Sequence, residues 1–113
     1  MEAKIQGIRT GEFLVSEANG TRSRETITAT GGDYPAGQVL GIITASGKYT
    51  AYATGASDGS ENAAAVLYAS KDASTDDQLA VVIARDAEVS EELCEGIDAA
   101  AITALAAKGV ITR

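Results

Sequence analysis

The chain has 113 residues, a formal net charge of −7, no histidine, no tryptophan and a single cysteine, Cys94. That length suits one domain, and the acidic balance disfavours both a nucleic-acid binder, which needs a basic stripe against the phosphates, and an anionic membrane surface. The missing histidine removes the usual base of a Ser or Cys triad, and one cysteine leaves no intramolecular disulfide.

Residues 1–30 read as an extended arm. They hold four basic residues, Lys4, Arg9, Arg22 and Arg24, among Ser, Thr, Gly and Glu. The apolar residues Ile5, Ile8, Phe13, Leu14 and Val15 follow neither helical nor strand spacing, so the segment is expected to make no core of its own. Gly31-Gly32 breaks the chain, and residues 31–113 are expected to form the folded domain. Tyr34-Pro35-Ala36-Gly37 is a turn, with proline fixing φ and glycine free to take positive φ. The run Val39-Leu40-Gly41-Ile42-Ile43 suits a buried strand. Ala45-Ser46-Gly47-Lys48 is a hairpin loop, and Tyr49-Thr50-Ala51-Tyr52 pairs back. Ser57-Asp58-Gly59-Ser60 turns again before the strand Ala65-Val66-Leu67-Tyr68. Ser74-Thr75-Asp76-Asp77 is a further turn. Leu79-Ala80-Val81-Val82-Ile83-Ala84 is the strongest strand signal, expected to be apolar on both faces and central.

A helical region follows. Ser90 suits an N-cap, with Glu91 and Glu92 favouring the helix start. Leu93, Ile97, Ala101 and Leu105 make an apolar stripe. Gly96 divides the segment, with Asp98 capping its second piece, and Lys108-Gly109 ends it. Val110-Ile111 resumes as a short strand. The fold class is therefore mixed α/β and mainly β. With 4% aromatic residues and Phe13 as the only Phe, its core is built from small side chains, and burial against further copies is expected to supplement it.

No catalytic constellation stands out. Cys94 lies among acidic neighbours, which raise a thiol pKa instead of activating it, and one cysteine without histidine makes no zinc site. Asp58-Gly59-Ser60-Glu61 and Asp76-Asp77 lack EF-hand spacing and suit turns. Arg85-Asp86-Ala87-Glu88 suits a surface ion pair. No metal or cofactor is expected. No stretch reaches the roughly 20 apolar residues that span a bilayer, and without an apolar signal core at the N-terminus, synthesis in a cytoplasm is expected.

Several words, in order, carry a family resemblance. They are Ser16-Glu17-Ala18-Asn19-Gly20, Arg22-Ser23-Arg24-Glu25, Ala36-Gly37 with Val39-Leu40-Gly41, Gly47-Lys48-Tyr49, Asp58-Gly59-Ser60-Glu61 with Ala63 and Leu67, Arg85-Asp86-Ala87-Glu88-Val89, and Leu105-Ala106-Ala107-Lys108-Gly109-Val110-Ile111 with Arg113. Through them the chain resembles the head decoration protein D family of lambda-like phages from Ser16 onward. The resemblance implies a β-clip-like compact domain that catalyses nothing. It implies homotrimers bound to the major capsid protein on the outer surface of the expanded virion shell, stabilising the head against packaged DNA. It also implies that the N-terminal arm meets the capsid, which makes Ser16, Glu17, Ala18, Asn19, Gly20, Arg22, Ser23, Arg24 and Glu25 the candidate capsid-binding residues. Two other readings stand beside it: a small ligand-binding β domain, and a hydrolase using only carboxylates.

Overall fold

The fold comes from a computed structural model that describes residues 14–17, 23–94 and 96–113, with Ser16 and Glu17 as backbone alone. In chain order the strands are β1 (Leu14–Glu17), β2 (Arg24–Ala29), β3 (Asp33–Tyr34), β4 (Val39–Ile42), β5 (Tyr49–Ala51), β6 (Ala63–Leu67), β7 (Lys71–Asp72), β8 (Gln78–Ile83), β9 (Ala87–Val89) and β10 (Val110–Thr112). A 3-10 turn (Glu91–Leu93) and the helix α1 (Ala99–Ala106) lie between β9 and β10.

Five strands close a barrel in the order β2-β5-β4-β6-β8. All its joins are antiparallel except that of β2 with β5, which is parallel and rests on Ala29 opposite Tyr49. A five-stranded barrel is narrow, and interior positions must be filled by side chains. That explains the alanine-rich composition. Ile27, Ala29, Leu40, Ala65, Leu67, Ala80 and Val82 form the interior cluster, with Tyr34 and Ala73 packed into it.

A second cluster lies on the other side of the same wall. Val39, Val66 and Ile83 alternate away from the interior and meet Ala87, Val89 and Val110 of a three-stranded sheet, together with Ala101 and Leu105 of α1. That sheet has the order β1-β9-β10, with β1 antiparallel and β10 parallel to β9. All five residues of β6 are buried, because it faces the barrel interior on one side and this cap on the other.

The mainly β fold with a short C-terminal helix agrees with the sequence. Three details differ. First, the boundary expected at residue 30 falls inside the barrel. Arg24–Ala29 pairs with β8 along its full length and buries Ile27 and Ala29. The strand alternates small hydroxyls with apolar residues, so it carries a period of two with little hydrophobic contrast. β1 joins the capping sheet as well; residues 1–13 and 18–22 of the expected arm lie outside the described residues. Second, β8 is covered on both faces only near its end, and Leu79 is exposed. The cap covers the wall at Ile83 and stops short of Leu79. Third, no helix starts at Ser90. Its side chain makes no capping bond, the chain forms one 3-10 turn, and Gly96 sits at φ +82°.

The second helical piece is as expected. The Asp98 carboxylate accepts from Ala101 N–H at 2.8 Å and begins α1, and Gly109 follows its end at φ +87°. Leu105 and Ala101 are fully buried, while Leu93 and Ile97 are half-buried against the same cluster. Gly41 meets a different demand. A Cβ there would stand 2.5 Å from the Ser60 carbonyl oxygen, where the β4–β6 pairing shifts register.

Candidate functional site

The candidate residues enter the described structure from both ends of the stretch 16–25. Ser16 and Glu17 lie on β1, opposite Glu88 and Ala87 of β9. Ala18, Asn19, Gly20 and Arg22 lie outside the described residues. Ser23, Arg24 and Glu25 lead into the barrel, and each has a different surrounding.

Ser23 is fully buried. Its hydroxyl donates to the Asp86 carbonyl at 2.9 Å, and its own carbonyl accepts from Ala84 N–H at 2.8 Å. It therefore fastens the start of β2 to the turn between β8 and β9. Asp86 in that turn takes φ +51°, a conformation that Asp tolerates better than most residues. Arg24 lays its guanidinium 4.1 Å from the centroid of the Tyr68 ring, a cation–π contact. Glu25 accepts from the Arg85 guanidinium at 2.6 Å, both side chains being partly exposed. A pair in that setting contributes little stability. The three residues are thus brought to one end of the β2–β8 wall, tied to partners far along the chain.

Glu25 and Arg85 also line an open hollow of about 460 Å³ at the mouth of the barrel, with Tyr49, Asp86 and Lys108. Burial and the nearby Glu25 raise the Tyr49 phenol above its ordinary value. Two carboxylates line this hollow, Glu25 and Asp86; the first is held by the Arg85 guanidinium, and the second belongs to the turn that Ser23 fastens.

The acidic turns are occupied by their own chain. Asp58 accepts from the Ser60 hydroxyl at 2.6 Å and from Ser60 N–H at 3.0 Å, and Glu61 accepts from Gly59 N–H at 2.9 Å. Asp77 accepts from Lys48 and from the Thr30 hydroxyl. These donors hold the Asp58 and Asp77 carboxyls below the usual range, Ser60 acting on the first and Lys48 chiefly on the second. Among the described residues no three His, Cys, Asp or Glu side chains gather in a metal-binding group. Cys94 is buried, and burial, with Glu91 nearby, pushes its thiol up to about 11. The ion pair expected around Arg85 and Glu88 exists as two: Arg85 with Glu25, and Glu88 with Arg113. Tyr68 was not singled out by sequence, since nothing local marks it as the seat for Arg24. Both partners of the candidate residues, Tyr68 and Arg85, become neighbours only once β8 pairs with β2 and β6.

These features define a small closed β-barrel, capped on one wall by a helix and a short sheet, whose charged groups largely serve its own turns. The family profile of bacteriophage lambda head decoration protein D matches residues 3–110, and the chain belongs to that family. It is a structural protein of the phage head, with its place on the capsid. The match reaches further toward the N-terminus than the words beginning at Ser16. No curated protein matches the chain.

Proposed function

We propose that this protein binds the outer surface of the expanded phage shell as homotrimers, contacts the major capsid protein through its N-terminal segment up to Glu25, and stabilises the head against packaged DNA without catalysing a reaction. The observation that carries the reading is the family match over residues 3–110. The structure supplies a physical route. β1 is an edge strand of the capping sheet among the described residues. An extended segment can add a strand to an exposed edge on a partner, where backbone hydrogen bonds give affinity. Ordering such a segment costs about 1–2 kcal/mol per residue in backbone entropy, and three segments on one trimer offset this through multivalency. Ser23 anchors the far end of the contact stretch in the barrel, and Arg24 and Glu25 flank it.

The test uses purified expanded shells. A variant lacking residues 2–13 keeps β1 and the whole barrel. It is expected to melt like the full chain and to lose cosedimentation with shells. An Arg22→Glu variant is expected to bind more weakly with unchanged melting. Binding that survives both changes would show that neither residues 2–13 nor Arg22 makes the contact.

A further inference from the structure

Among the described residues three large apolar side chains stand in the open: Val15, Leu79 and Ile111, exposed by 54%, 69% and 38%. They make two separate patches. Leu79 lies on the outer wall of β2 and β8, where Thr28 stands opposite it and Val81 opposite Thr26. On the same wall, Val39, Val66 and Ile83 are covered by the cap, so the cover ends where the Leu79 strip begins. Val15 and Ile111 lie on the outer face of the capping sheet, since Leu14, Val89 and Val110 turn to the cluster beneath. Glu88 pairs in register with Ile111 between them.

Among the described residues the charges that border the patches are paired: Glu25, beside Thr26 and Val81, is held by Arg85, Asp77, beyond Leu79, is held by Lys48, and Arg24 stacks on Tyr68. In the second patch Glu88 is met by Arg113 at 3.2 Å. On a chain of net charge −7, such surfaces let two like-charged copies approach with little repulsion, whereas a basic partner is drawn to the acidic turns.

We infer that the two patches are the two halves of one interface between copies, the Leu79 strip of one subunit packing on the Val15 and Ile111 face of the next. A closed three-fold ring is built from head-to-tail contacts, each joining two different surfaces, whereas a two-fold dimer joins a surface to itself. One patch of each kind per subunit satisfies the ring. The inference rests on the trimer reading above and assigns it an interface.

The experiment decorates expanded shells with three variants: Leu79→Cys, Ile111→Cys and the double variant. Each is treated with a short bismaleimide and separated on a denaturing gel, beside a parallel image reconstruction of the shell. The native chain is the control, since its Cys94 thiol is buried. The double variant is expected to give linked dimers and trimers, and each single variant only monomers. Leu79→Lys, a change at an exposed site, is expected to leave melting of the free protein unchanged and to remove three-fold clusters from the shell. Linking by Leu79→Cys alone would show that the strip faces itself and overturn the inference. So would a double variant that stays monomeric on shells whose images show three-fold clusters. Images of isolated subunits would overturn the trimer reading itself, and this interface with it.

Discussion

One carboxylate, Asp98, serves two elements at once. It caps α1 through Ala101 N–H and accepts from the Tyr52 hydroxyl at 2.8 Å, so the helix start is held to the chain just after β5. Burial, and then this bond to Asp98, raises the Tyr52 phenol. Asp98→Ala removes both contacts and is expected to lower stability by about 0.5–2 kcal/mol, with Asp98→Asn retaining most of it. Urea titration of the two variants distinguishes them, and equal loss in both would show that charge, not capping geometry, matters. The cap was legible because it depends on neighbours in sequence; its tie to Tyr52, 46 residues away, was not. The same holds for Arg24 on Tyr68 and Glu25 on Arg85. The acidic surroundings of Cys94, by contrast, were readable: Glu91 adds to the burial that pushes its thiol up. With the folded pKa raised, the stabilisation linked to this thiol is complete below its unfolded value of about 8.5 and is lost as pH rises toward about 11. A disulfide reagent at neutral pH is expected to label Cys94 only after denaturant is added; rapid labelling of the folded protein would contradict its burial.

At the scale of elements, α1 has eight residues, too few to persist alone in water. Its stability comes from docking on β6 and β10 through Ala101 and Leu105, both fully buried. Leu105→Ala is expected to cost about 2–5 kcal/mol, read as a lower urea midpoint with unchanged slope. An unaltered midpoint would place the helix elsewhere. The strands β4, β5, β6 and β8 could be read from β-branched and apolar runs between turn residues. β2 could not, because Thr26 and Thr28 alternate with Ile27 and Ala29 in a stretch that composition alone likens to a polar tail. β3 and β7 are two residues each and leave no period to detect. The helix stripe was overextended for a different reason: Leu93 and Ile97 have the right spacing, but Gly96 takes a backbone conformation that interrupts it.

For the whole molecule, three exposed carboxylates contribute a dependence on acid. Asp58, Asp72 and Asp77 are each held below the usual carboxyl range, Asp58 by Ser60, Asp72 by Ser74 and Asp77 chiefly by Lys48. A depressed folded pKa contributes stability that is present above the unfolded value of about 3.9 and lost as pH falls through the folded value. Melting temperature is therefore expected to hold from neutral pH down to about pH 5 and to fall below about pH 4. A variant with Asn at all three positions should show a shallower acid limb, measured by circular dichroism melts. A limb of unchanged slope would assign acid sensitivity to other carboxylates.

The barrel closes through strands made far apart in time. Arg24 pairs with Ile83 and Ala29 with Gln78, so β2 waits for roughly fifty further residues to be synthesised, which at about 5–20 residues per second takes several seconds. Contact between β2 and β5 through one residue pair offers little shelter meanwhile. The waiting strand, Arg-Glu-Thr-Ile-Thr-Ala, carries charges at one end and hydroxyls along one face, features that discourage pairing with the wrong edge. The muted pattern that hid this strand in the sequence therefore has a use during birth of the chain: it keeps an unfinished barrel from recruiting strands from the polypeptides growing beside it.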